Sequence, residues 1–185
     1  MAVIVSMLRG VNVGGNNMVK MEALRALYES LGLRKVETFI QSGNVIFATQ
    51  ARGRVALAKR LEDAIEKKFG FHCDLVLRDA GELRGALARN PFAGRADVDP
   101  AKLLITFLAS DPDPEGSAKL RTLDIHPEEL RIDGREVYVY FAAGMARPKL
   151  PWAQMGKYLK TPGTGRNLTT VQKLLAIAER VETAS

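Results

Sequence analysis

Apolar and polar positions alternate between two rhythms along the chain, and each change of rhythm marks an element. Ala2–Leu8 is a short apolar run with β-branched residues, which predicts a buried strand, and Gly10–Asn17 breaks it. Met21, Leu24, Leu27, Tyr28 and Leu31 then recur at helical spacing, with Gly32 placed where a glycine ends a helix. Val36–Ile40 and Val45–Ala48 flank Ser42-Gly43-Asn44 and predict a hairpin. Val55 to Phe69 carries a second amphipathic helix stopped by Gly70. Leu75–Leu77 predicts a fourth strand, and Leu83–Leu87 a short helix.

Asn90-Pro91 to Asp99-Pro100 interrupts all periodicity, and a boundary between halves is expected there. The pattern then repeats. Leu103–Leu108 is an apolar strand and Pro114–Leu123 a helix opened by proline. Leu130–Ile132 and Val137–Phe141 are strands around the turn Asp133-Gly134-Arg135, and Pro151–Lys160 is another proline-opened helix. Leu168 to Val181 forms a last, strongly amphipathic helix. The first half therefore reads βαββαβ, the ferredoxin-like, split-βαβ order, and the second βαββ plus helices with no clear closing strand. The expected fold is α+β: two ferredoxin-like halves related by duplication, residues 1–92 and 100–185, with mainly antiparallel sheets. A single mixed sheet with accidental self-similarity is the alternative.

Composition narrows the class. With 46% hydrophobic and 26% charged residues, the chain is expected to be globular rather than disordered. Cys73 is the sole cysteine, so no internal disulfide forms, and His72 and His126 are too few for a metal cluster. No metal or cofactor is expected. Met1–Arg9 is too short for a secretory signal and no apolar run approaches the ~20 residues of a membrane span, so a cytoplasmic setting away from membranes is expected. The net charge of +6 is unevenly spread: Gly144–Ser185 holds seven basic and two acidic residues, and no carboxylate appears between Gly144 and Ala178. Such a stretch attracts anions, nucleic acid among them, although Trp152 and Tyr158 are the only aromatics nearby.

In a split-βαβ unit the loop after the first strand and the turn after the second leave the same sheet edge. That places Arg9, Asn12, Asn16, Asn17, Gln41, Ser42 and Asn44 around Gly10, Gly14, Gly15 and Gly43. These side chains donate hydrogen bonds, and the glycines let backbone amides approach a ligand. The loop matches neither the phosphate loop nor the dinucleotide fingerprint, and a tight turn whose asparagines satisfy their own backbone is the competing reading. A second anion seat is expected before the last helix, where Thr164, Arg166 and Asn167, with Lys157 one helix upstream, meet the helix start. Simple capping by Asn167 competes with it. No hydrolase elbow is present, and His72 and Cys73, adjacent on an extended segment, point to opposite faces. Met145, Trp152 and Met155 are expected to pack a helix on its sheet.

Leu8-Arg-Gly-Val-Asn-Val-Gly-Gly-Asn-Asn17, Thr38-Phe-Ile-Gln-Ser-Gly-Asn-Val-Ile-Phe47 and Thr164-Gly-Arg-Asn-Leu-Thr-Thr-Val171 with Lys173-Leu174 together resemble a bacterial family, domain-of-unknown-function family 1697. The resemblance covers almost the whole chain. It implies two ferredoxin-like halves and no established activity, substrate or catalytic residue. Where that family's last motif has Thr before Arg-Asn and Trp after it, this chain has Gly165 and Leu168. The expected function is binding of a small anionic or phosphate-bearing ligand at the glycine- and asparagine-rich loops. Nucleic-acid binding through the basic C-terminal segment, or a protein-interaction module without chemistry, are the alternatives.

Overall fold

The computed structural model describes residues 1–184. Its elements are β1 (Ala2–Leu8), α1 (Met21–Ser30), β2 (Arg34–Phe39), β3 (Asn44–Thr49), α2 (Arg54–Phe69), β4 (Leu75–Asp79), α3 (Ala80–Ala88), β5 (Leu103–Leu108), α4 (Pro114–Arg121), β6 (Glu129–Asp133), β7 (Glu136–Tyr140), α5 (Met155–Leu159), β8 (Gly163–Asn167) and α6 (Leu168–Thr183). Two four-stranded antiparallel sheets result, ordered β2-β3-β1-β4 and β6-β7-β5-β8. That order, with helices in the β1–β2 and β3–β4 connections, fits a duplicated ferredoxin-like arrangement. The register repeats as well: Val5 stands between Ile46 and Arg78, and Ile105 between Tyr138 and Arg166.

The chain forms two compact units, one of Met1–Arg84 with the segment from Lys173 onward, the other of Gly85–Gln172. In the first, Leu24 and Tyr28 of α1 and Leu57, Leu61 and Ile65 of α2 bury against Ile4, Val45, Phe47 and Leu75 of the sheet. Complete burial of each such side chain contributes about 1.5–3 kcal/mol, which is why the 3.6-residue stripe, rather than helix propensity, holds these helices. Asp79 and Glu82 start α3 by reciprocal capping: the Glu82 amide donates to Asp79 Oδ1 (2.8 Å) and the Asp79 amide to Glu82 Oε2 (2.9 Å). Arg54, at the start of α2, bridges both carboxylates; against the opposing effect of burial, the Glu82 amide first and Arg54 second hold Asp79 below the usual carboxylate range.

The second unit packs Leu120, Val137, Val139, Leu150, Met155 and Leu159 into its own core. Asp113 caps α4 through the Gly116 amide (2.9 Å), with Pro114 in the first turn. Here α4 lies so close to α5 that a Cβ on Gly116 would stand 1.6 Å from the Tyr158 carbonyl oxygen. Only glycine fits there.

The second unit does have a closing strand, β8, which the pattern does not predict. Its Gly163 and Gly165 pass beside Leu108 and Leu104, whose side chains would lie 2.8 Å from an added Cβ at each glycine. The leucines of β5 fill the space that apolar side chains on β8 would otherwise occupy, so this strand carries no apolar alternation to read. Met155 is buried as expected, whereas Met145, in the irregular segment after β7, and Trp152, in a short helical turn before α5, are exposed.

Candidate functional site

The first unit brings its predicted edge together. At the end of β1 the Leu8 amide donates to the Gly43 carbonyl and the Arg9 amide to that of Asp74, both at 2.9 Å. The β2–β3 turn and the start of β4 thus flank Arg9, as the split-βαβ order requires.

Beyond Arg9 the chain forms a small projecting finger. Asn12 and Asn17 sit at its base, joined by an Asn12 amide–Asn17 carbonyl bond of 3.2 Å, and the Asn16 amide donates to the Val13 carbonyl at 3.0 Å. At the tip Gly14 and Gly15 have φ of 57° and 78°, the pair of positive values a type I′ turn demands. The asparagines hold the finger rather than standing open. Asn12 Nδ2 donates to the carbonyls of Val19 (2.9 Å) and Gln41 (2.7 Å), while its Oδ1 accepts from the Val19 amide (2.7 Å). Asn17 Nδ2 donates to the Gly10 carbonyl at 3.3 Å. Asn44, wholly buried, closes the β2–β3 turn by donating to the Phe39 carbonyl (3.0 Å) and Ser42 Oγ (2.9 Å).

Loop and turn meet closely at Gly43. A Cβ on Gly43 would stand 2.5 Å from Val11 Cγ2 and 2.8 Å from Leu8 Cβ, so aliphatic groups close that contact. The rim exposes Gly14, Gly15, Asn16 and Asn17 on the finger, Gln41 beside it, and Arg9 at its root. Val13, Met18 and Ile40 are exposed among them, an apolar component that the donor-rich pattern of the loop conceals.

The rim also holds a carboxylate that lies outside both motifs in sequence. Arg9 Nη1 is 3.3 Å from Asp74 Oδ2, with both side chains substantially exposed. Asp74 Oδ1 lies 3.3 Å from His72 Nε2, and Glu66 Oε2 3.5 Å from His72 Nδ1. Hydrogen bonding to Asp74, seconded by Glu66, raises the His72 pKa above the ordinary histidine range. Because the two carboxylates take opposite ring nitrogens, the three groups do not converge on one metal ion. Cys73 is buried and donates its thiol hydrogen to the Arg9 carbonyl at 3.3 Å.

The second predicted seat is arranged differently. Thr164 and Arg166 are buried on β8, facing the same side of the sheet as Phe107 and Ile105. Arg166 Nη1 donates to Thr164 Oγ1 (2.7 Å) and to the Gly165 carbonyl (2.8 Å). It does not stand in solvent at the start of α6. Asn167 does cap that helix, accepting from the Thr170 amide at 2.8 Å. Lys157 is exposed on α5. Burial of Arg166 follows from its alternating position on an unrecognised strand, which a loop reading hides.

A family model described as a protein of unknown function, DUF1697, matches residues 1–138. Among solved structures, a conserved bacterial protein from Streptococcus pneumoniae is similar over 97% of this chain and 99% of its own, with a TM-score of 0.73 at 24% identity. That likeness shows the fold. No curated protein matches the sequence.

Proposed function

This chain belongs to the DUF1697 family of unknown function, and we propose that it is a binding protein that takes a small anionic, phosphate-bearing ligand on the finger of its first unit. The observation that carries this reading is the fixed finger: a two-glycine tip whose base is held by three hydrogen bonds of the Asn12 side chain, one to the Gln41 carbonyl of the neighbouring turn and two to the Val19 backbone, with a guanidinium at its root. A pre-fixed glycine turn lets an anion lie against backbone amides with little ordering cost on binding. Arg9 supplies the charge, shared with Asp74, and Asn16, Asn17 and Gln41 border the ligand. Recognition in this reading is positional and electrostatic.

The test is the melting temperature against inorganic phosphate, nucleotides and sugar phosphates. A ligand at ~100 times its Kd adds about 2.7 kcal/mol to stability. Arg9→Gln removes that gain if the reading holds. No shift with any probe, or an equal shift in Arg9→Gln, counts against it.

The exposure of Val13, Met18 and Ile40 favours a second reading, in which the same rim docks a protein partner. Under that reading the Val13→Ser/Met18→Ser/Ile40→Ser variant abolishes association, while phosphate leaves the melting temperature unmoved.

A further inference from the structure

Much of the positive charge of this protein is held by ion pairs. Arg25, Lys59, Arg84, Arg95, Lys160 and Arg180 each have a carboxylate oxygen at 2.6–3.0 Å. Arg147, Lys149 and Lys157 are different: all three are exposed, and none has a carboxylate partner among the described residues. The acidic group beside them, Glu128, is buried and turned to the backbone, accepting from the amides of Lys149 (2.7 Å) and Leu150 (2.8 Å). That double acceptance, with Leu150 buried in the second core, fixes a segment that would otherwise be a mobile eleven-residue connection between β7 and the helical turn at Trp152.

Within this fixed segment Trp152 is 40% exposed. Its ring forms a T-shaped pair with that of buried Phe141, with centroids 6.0 Å apart and planes at 65°. An aromatic ring held from one side, half open to solvent and accompanied by unpaired cations, matches the two needs of a single nucleic-acid strand: a platform for a base and counter-charges for its phosphates. We infer that the Ala142–Lys157 segment binds single-stranded nucleic acid, one base stacking on Trp152 while the backbone runs over Arg147, Lys149 and Lys157. A duplex keeps its bases stacked inside and gains nothing from the ring. An anionic membrane surface would find only Met145 and Trp152 to bury, too little apolar area to hold a protein at the interface.

Trp152 is the chain's single tryptophan, so its fluorescence reports this contact directly. Titration with an oligothymidylate of ~20 nucleotides at low salt is expected to quench it. The slope of log affinity against log salt is expected near −2, the value for three phosphates on a single strand at about −0.7 each. The Arg147→Gln/Lys149→Gln/Lys157→Gln variant flattens that slope towards zero. Trp152→Leu, followed by anisotropy of a labelled oligonucleotide, weakens binding about tenfold and leaves the slope unchanged. Absence of quenching at low salt overturns the inference. So does a slope unaltered in the triple variant, or equal affinity for a duplex. A blue shift on phosphatidylserine vesicles without any response to the oligonucleotide assigns the surface to membranes instead.

Discussion

The two units share a frame and differ in where they enlarge it. In each, the amide ending the first strand donates to the hairpin turn and the next amide to the residue before the last strand: Leu8 to Gly43 and Arg9 to Asp74, Leu108 to Arg135 and Ala109 to Pro162. The connections between these fixed points are unequal. Residues 9–20 join β1 to α1, whereas residues 109–113 suffice between β5 and α4. The inequality reverses at the other crossover, where residues 50–53 join β3 to α2 and residues 141–151 lead from β7 to the turn at Trp152. Since β1 and β3 are antiparallel, as are β5 and β7, the enlarged connections leave opposite edges of their respective sheets. Strand pairing and two packed helices define such a unit, and insertions are tolerated wherever the backbone reaches solvent. One frame thus carries a glycine finger at one edge in the first unit and a basic, tryptophan-bearing segment at the other edge in the second.

The helix crossings should differ most. Gly116→Ala drives a methyl into the Tyr158 carbonyl, backbone against backbone, and is expected to cost at least about 3 kcal/mol in urea unfolding. The first unit has no glycine in α1 or α2. A loss below about 1 kcal/mol would show that the second crossing yields as easily as one without such a contact.

The buried hydroxyls of β1 and β5 come next. Ser6 Oγ lies 2.9 Å from Tyr28 Oη in a wholly buried pair, and that burial pushes the Tyr28 pKa up despite the Ser6 hydrogen bond. Thr106 Oγ1, the equivalent group in β5, is buried with no partner. Ser6→Ala is expected to cost about 1–2 kcal/mol, and Thr106→Val to be neutral or to stabilise by up to about 1 kcal/mol. Equal losses would erase the distinction.

A smaller effect separates the two rims. Asn12→Ala removes three hydrogen bonds in a partly exposed site and should cost about 1 kcal/mol. Hydrogen exchange should quicken at the Asn12, Asn16 and Val19 amides while β5–β8 keep their protection. Exchange that quickens equally in both sheets would mean that Asn12 supports more than its finger.

The least effect concerns pH. His72 binds its proton more tightly folded than unfolded, so the stabilisation it gives is complete below the unfolded pKa and disappears as pH rises through the raised, folded one. The side chain is 59% exposed, so the change is small. It is best seen as an NMR titration of the His72 ring above the ordinary histidine range, returning towards that range in Asp74→Asn.

The hydrophobic rhythm made most of this frame readable. Ala2–Leu8 and Leu103–Leu108 are strands over the predicted residues, α2 ends against Gly70, and Pro114 opens α4. Burial imposes that rhythm, so it survives in the sequence. β8 escaped because neighbouring leucines replace its side chains on one face and Thr164 and Arg166 occupy the other. At the candidate site, the glycine turn and the meeting of loop and hairpin followed from topology. The inward bonds of Asn12 and Asn17 match the competing turn reading; two facts did not follow, that Val11 fills the contact with Gly43 and that Asp74 reaches Arg9. Each depends on the direction of a side chain, which neither spacing nor composition specifies.

The position of Cys73 makes the first rim its own clock. With the residue 2% exposed and its thiol tethered to the Arg9 carbonyl, an alkylating reagent reaches the sulfur only when the ends of β1 and β4 part. The labelling rate of this one thiol therefore counts those openings. A ligand that clamps the finger would slow the count without touching the sulfur.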